Sequence, residues 1–277
     1  MNNPADASVV VGVDGSLESR AAVDLAGWEA YRRRRPLRLV HGYQPAAGDG
    51  PPVVEVSDLG QRVRDRLDGE SDRICRRYPE LRTVTTVTAG DPGTVLVDQS
   101  ATAALVVVGS RGLGSFYSGL PGSVAIRVAT HSKAPAIVVR RPALRSRFGV
   151  VVGVDGSPGT AAAVEFAFDA AAARGTDLTA VCAWTPGSDR RADLRHEADR
   201  MLAEAVAGWQ DKYPQVELIR RAVADHNPVR ALLEAAAHAE LAVVGSSRAG
   251  EVAGATVTGL IHHAETSVAI VPAETYR

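Results

Sequence analysis

Short runs rich in apolar residues alternate along this chain with longer stretches whose apolar residues recur at helical spacing. In the first half the runs are Val9–Val13, Leu37–Tyr43, a segment near Leu81–Thr88, Leu105–Val108 and Ala136–Val139. Between them stand Leu17–Tyr31, with Ala22, Leu25 and Ala26 apolar, and Asp58–Tyr78, with Leu59, Val63, Leu67 and Ile74 on one face. Pro92 to about Thr102 and Ser123–His131 complete the alternation. Runs such as LVVV and AIVV are apolar on both faces, which suits strands of a parallel sheet covered by helices on each side. The pattern therefore predicts an α/β fold, a five-stranded parallel sheet with helices on both faces.

The alternation happens twice. VVGVDGS at Val10–Ser16 recurs letter for letter at Val151–Ser157, an offset of 141. LRLVHGY at Leu37–Tyr43 answers LTAVCAW at Leu178–Trp184 at the same offset, Tyr78-Pro79 answers Tyr213-Pro214 at 135, and LVVVGS at Leu105–Ser110 answers LAVVGS at Leu241–Ser246 at 136. Matches that keep their order while the offset drifts mark two related domains in tandem, because a period near 140 is far too long for a solenoid. The expected domains are residues 1–143 and 149–277, joined across the polar, proline-containing stretch RRPALRSRF.

Composition narrows the chemistry. Lys plus Arg number 31 against 32 for Asp plus Glu, so a net charge of −1 argues against nucleic acid as a partner. Lys133 and Lys212 are the only lysines, which nearly excludes sites built on a phosphate-binding lysine, and no GxxxxGK[ST] occurs. Cys75 and Cys182 have neither CxxC nor metal-ligand spacing, as expected of a reducing, cytoplasmic compartment. The opening MNNPADASVVVGVDGS lacks a basic segment followed by an apolar one, so no secretion signal is expected. No apolar stretch approaches the roughly 20 residues of a membrane helix, and no membrane insertion is expected.

In parallel sheets ligands gather at the carboxyl ends of strands where the strand order reverses. The first strand runs into Asp14-Gly15-Ser16. The fourth runs into Gly109-Ser110-Arg111-Gly112, followed after nine residues by Gly122-Ser123-Val124. Glycines let successive amides face one concavity, and a helix beginning at Ser123 adds free N–H groups and the positive end of its dipole. The Ser123 hydroxyl is expected both to cap that helix and to donate to a phosphate oxygen. The result is a phosphate cradle that needs no lysine, with Arg111 as its one cationic side chain.

The spacing Gly109-x2-Gly112-x9-Gly122-Ser123, with VGVDGS before it, resembles the ATP-binding class of the universal stress proteins, and the duplication resembles their two-domain members. That resemblance implies two tandem Rossmann-like domains (adenine nucleotide alpha hydrolase-like), each with sheet order 3-2-1-4-5. It implies ATP with adenine near the first two strands, approached by the backbone of Gly12 and Val13 and packed by Val40. Asp14 contacts the ribose or a bound Mg²⁺, and Ser16 stands beside it either as a ligand contact or as the cap of the following helix. Gly109, Ser110, Arg111, Gly112, Gly122, Ser123 and Val124 surround the phosphates. It further implies a cytoplasmic homodimer, pairing through the edges of Ala136–Val139 and Val268–Val271, and a regulatory protein partner.

The second copy departs from the pattern. Its loop runs from Gly245 to Gly254, nine positions where the first copy has thirteen, Arg248 stands at the Gly112 step, and Ala255 replaces Ser123. Asp155 is retained and Cys182 replaces His41. The expectation is ATP in the first domain and weak or absent binding in the second. Arg32–Arg35 reads as cations at a helix end, and His262-His263 as a solvated pair. The expected role is nucleotide-dependent conformation or association in stress signalling, without a committed chemical step. A slow ATP hydrolase and a nucleotide-independent interaction scaffold are the alternatives.

Overall fold

A computed structural model describes residues 7–44, 56–112, 121–140, 148–186, 191–246 and 254–273. The chain divides into two compact units, one holding Met1–Val128 with Ala136–Val139 and the other the remainder.

The first copy of the repeat runs β1 (Val9–Gly12), α1 (Leu17–Arg32), β2 (Leu37–Tyr43), α2 (Val56–Arg77), β3 (Thr83–Ala89), α3 (Pro92–Ser100), β4 (Leu105–Gly109), α4 (Ser123–His131) and β5 (Ala136–Val139). Its strands lie in the order β3-β2-β1-β4-β5. All pairings are parallel: Val9 faces Leu37 on one side and Leu105 on the other, and Val106 faces Ala136. The apolar runs become the buried layer because β1, β4 and β5 are covered on both faces; Val9, Leu105, Val107 and Ile137 are fully buried. Leu67 and Ile74 of α2 are sealed as well, as the helical spacing predicts, while Leu25 stays half-exposed.

The second unit repeats this: β6 (Val150–Gly153), α5 (Thr160–Arg174), β7 (Leu178–Trp184), α6 (Arg191–Ala205), α7 (Trp209–Lys212), β8 (Leu218–Ala224), α8 (Pro228–Ala235), β9 (Leu241–Ser246), α9 (Ala255–His263) and β10 (Ser267–Pro272). Its order is β8-β7-β6-β9-β10, again parallel, with Val150 between Leu178 and Leu241. The short α7 follows Gly208 (φ 76°), whose left-handed conformation turns the chain, and carries Trp209 onto Phe168 (ring centroids 5.8 Å apart).

Two boundaries shift for local reasons. Val13 lies just past β1, although its N–H still donates to the Val40 carbonyl at 2.9 Å. Leu81 is in a turn, its N–H donating to Tyr78, and β3 begins at Thr83. Among the described residues no helix is long and apolar enough to cross a membrane.

Candidate functional site

The carboxyl ends of β1, β2 and β4 open into a cleft of about 450 Å³, within the roughly 300–1,000 Å³ usual for small-molecule sites. Its floor is Gly12, Val13 and Val40, and Asp14 and His41 stand on one wall. Gly109, Arg111 and Gly112 continue the lining beside Asp14, with Gly122, Ser123 and Val124 at the start of α4.

Asp14 is positioned by its own turn. Its Oδ1 accepts the Ser16 N–H at 2.8 Å, and Arg66 Nη1 donates to its carbonyl at 3.1 Å. Oδ2 faces the loop: a Cβ on Gly112 would lie 2.6 Å from it, so only glycine lets the loop pass this close to the carboxylate. The helix cap is supplied by Ser16, whose Oγ accepts the Ser19 N–H at 3.0 Å. Ser16 is committed there and does not line the cleft.

Ser110 is also displaced from its expected place. Only 1% exposed, it does not line the cleft; its N–H donates to Val139 and its carbonyl accepts the Gly122 N–H, each at 2.9 Å. Ser110 thus ties the two ends of the glycine loop together, bringing Gly122 beside Gly112. Ser123 does line the cleft, but as the first residue of α4 rather than as its cap. Gly122 holds the cap place, its carbonyl accepting the Ile126 N–H at 3.1 Å. The first-turn amides of α4 open toward the cleft, where an anion is favoured. Beside them the Arg111 Nε is buried without a hydrogen-bond partner among the described residues.

Gly109 has a different reason to be glycine. A Cβ there would sit 2.8 Å from the Glu18 carbonyl carbon and 2.9 Å from the Ser19 nitrogen, so it is the seat of α1 on β4. Gly245 repeats the joint in the second unit, where a Cβ would come 2.5 Å from the Gly159 oxygen.

Residues that sequence reasoning left out also line the cleft: Ser19, Gly42, Pro92, Leu96 and His41. His41 was visible only as the residue that Cys182 replaces. Its Nδ1 lies 2.6 Å from the Val13 carbonyl, which only accepts, so Nδ1–H is the donor and Nε2 is left out of that bond. Gly42 allows α3 to approach, since a Cβ would meet Pro92 Cα at 2.7 Å. Among the described residues no cluster of three His, Cys, Asp or Glu side chains could hold a metal alone.

The sequence model of the universal stress protein family matches residues 7–140 and 149–272. The chain belongs to the universal stress protein family. A universal stress protein of Mycobacterium tuberculosis (strain H37Rv) is 34% identical over 282 residues, covering 95% of each chain. One from Mycolicibacterium smegmatis is 35% identical over 262 residues, covering 89% of each. A solved universal stress protein from Archaeoglobus fulgidus superposes with a TM-score of 0.72 at 20% identity over 96% of each chain, a likeness of fold.

The second universal stress protein repeat is built differently around its aspartate. Asp155 Oδ1 accepts both the Ser157 N–H (3.0 Å) and the Thr160 hydroxyl (2.9 Å). Partial burial alone would raise the Asp155 pKa, but the bonds from Ser157 and Thr160 outweigh it and hold the carboxyl below its ordinary value. Where the first repeat has His41 and Arg66, this one has Cys182 and Met201, their sulfurs 3.9 Å apart. Burial, then the Asp155 and Asp199 carboxylates, push the Cys182 thiol up. Residues 247–253, which carry Arg248 and most of the shortened loop, lie outside the described residues.

Proposed function

We propose that the first repeat binds one ATP in the cleft above β1 and β4, and that the chain acts as a nucleotide-dependent regulatory protein in stress response. The observation that carries this reading is the buried Arg111 Nε, unpartnered among the described residues, in a wall shared with Gly112 and the start of α4. A guanidinium, a helix N-terminus and a glycine-lined wall together suit a phosphate chain without any lysine. Val40 and Leu96 supply an apolar floor for a base, with His41 lining the same cleft. Asp14 would give a Mg²⁺ one carboxylate, the rest of its shell coming from phosphate and water, as this ion prefers.

Among the described residues Asp14 is the one carboxylate that lines the cleft, and its Oδ1 is held by the Ser16 amide. A hydrolase needs a water-positioning group besides a metal clamp. We therefore assign binding rather than turnover, with ATP biasing self-association into a cytoplasmic homodimer that engages a regulatory protein. In the second repeat the satisfied Asp155 and the Cys182–Met201 pair favour weak binding or none.

Mass analysis of nucleotide released by heat from protein purified without added nucleotide tests the assignment. One ATP per chain is the expected result. No retained nucleotide together with no affinity for added ATP would overturn it, and two equivalents would overturn the asymmetry. A multiple-turnover rate of about 1 per second or faster would make the chain an enzyme.

A further inference from the structure

The first repeat has a second cleft, about 460 Å³, formed where α1 ends and β2 and β3 begin, on the side of the sheet remote from the strands' carboxyl ends. Arg32, Arg34, Arg35 and Arg82 line it against a single acidic residue, Glu80. Tyr31, 48% exposed, forms part of its wall and stacks on Tyr78 with ring centroids 4.8 Å apart.

Arginine at position 34 is costly to the backbone. Arg34 has φ 53°, the only non-glycine residue with positive φ among the described residues. It occupies the left-handed position that closes a helix, where glycine is the cheap choice. The second repeat supplies the comparison within one chain. Arg34 and Arg35 donate their N–H groups to Tyr31 and Ala30; Gly175 and Thr176 make the same two bonds to Ala172 and Ala171, with Gly175 at φ 61°. The neighbouring links are also repeated, Leu37 to Arg82 and Leu178 to Glu217. One turn is thus built twice, once with Arg34, Arg35 and Arg82, and once with Gly175, Thr176 and Glu217. The turn itself does not require the cations. A strained residue retained where its repeat partner is relaxed points to a ligand.

Helix-end electrostatics accounts for only part of the run. Glu29, fully buried, already takes Arg32 Nη2 at 2.6 Å and Arg33 Nε at 2.9 Å. Among the described residues the side chains of Arg34 and Arg82 have no ion-pair partner. Planar guanidinium groups gathered in one cleft match phosphate oxygens in pairs.

We propose that this cleft of the first repeat binds a small oligophosphate anion, one that places two or more phosphate groups among Arg34, Arg35 and Arg82. Multiple charge within a few ångströms is what so compact a set of cations selects, over a single phosphate or carboxylates spaced along a peptide.

Isothermal titration of the full-length chain with inorganic tripolyphosphate, orthophosphate and a hexaglutamate peptide tests this. Tripolyphosphate binds most tightly, and Arg34→Gly combined with Arg82→Glu weakens it by about tenfold or more, while Arg111→Ala in the other cleft leaves this binding event in place. Arg34→Gly alone melts no lower than the parent, since Gly175 makes the same turn; Arg34→Asn, which also tolerates this conformation, is the second variant. Absence of tripolyphosphate binding, equal affinity in the double variant, loss in Arg111→Ala alone, or tighter binding of hexaglutamate would each overturn the proposal.

Discussion

Replacing Gly109 and Gly112 in turn by alanine separates a glycine that holds the fold from one that shapes the site. At Gly109 the new Cβ meets backbone, 2.8 Å from the Glu18 carbonyl carbon, 2.9 Å from its oxygen and 2.9 Å from the Ser19 nitrogen. Ordinary carbon contacts lie near 3.5–4.0 Å, so the start of α1 must move by roughly 0.7 Å or more, an overpacking that costs about 1–3 kcal/mol. That lowers the melting midpoint by roughly 3–10 °C. At Gly112 the Cβ meets only the end of a side chain, Asp14 Oδ2 at 2.6 Å and Cγ at 3.8 Å. Rotating that carboxylate relieves the overlap at a cost within about 1 kcal/mol, so the midpoint hardly moves. ATP affinity falls about tenfold, however, because the displaced carboxylate loses a charge-assisted contact. Thermal melts followed by circular dichroism, with ATP titration of nucleotide-stripped protein, read both effects. A Gly109→Ala variant that melts like the parent, or a Gly112→Ala variant that melts as low as Gly109→Ala while binding ATP normally, would contradict this division of roles.

Ser16→Ala removes the hydroxyl that accepts the Ser19 N–H, and the melting midpoint should fall by the few degrees that correspond to a cap of about 1 kcal/mol. For Asp155 the folded pKa is depressed, so its contribution is present above the unfolded value near 3.9 and lost as pH falls through the folded one. The stability gap between the parent and Asp155→Asn should accordingly be open at neutral pH and narrow toward pH 3; a gap independent of pH would contradict the hydrogen-bond account. Cys182, buried and raised in pKa, should resist a thiol-disulfide reagent at pH 8 in the native state and react once denaturant is added. Rapid native titration of both thiols would count against that placement.

Much of the fold was legible because a parallel sheet writes itself as apolar runs, and because the duplication supplies each boundary twice. Leu37–Tyr43, Ser123–His131 and Ala136–Val139 stand as periodicity predicts. The lining of the candidate cleft was legible at the strand ends and at the start of α4, where Gly12, Val13, Asp14, Val40, Gly109, Arg111, Gly112, Gly122, Ser123 and Val124 stand. What spacing could not separate was which polar group spends its hydrogen bonds on the protein. The Ser16 hydroxyl caps α1, and Ser110 closes the loop through its backbone while its hydroxyl is buried without a partner among the described residues, although both sit within a motif whose neighbours face the cavity. Leu96 comes from α3, brought there by the parallel crossover rather than by any local signal, whereas His41 adjoins Val40 on β2 and could have been read from that neighbour. Gly109 carries a further lesson, since a glycine in a phosphate-loop spacing turns out to be required by helix packing.

The seat of α1 on β4 also sets what can move. Backbone lies directly against backbone at Gly109, and again at Gly245, leaving no side chain to act as a bearing between helix and strand. Neither α1 nor α5 can swing or slide at that end without parting the joint, so each behaves as a fixed jaw. The joint also couples the two ends of the cleft wall, since Gly109 precedes Ser110, whose carbonyl holds the Gly122 N–H at 2.9 Å. A spectroscopic label near the start of α1 therefore serves as a stationary reference for motion elsewhere in the repeat.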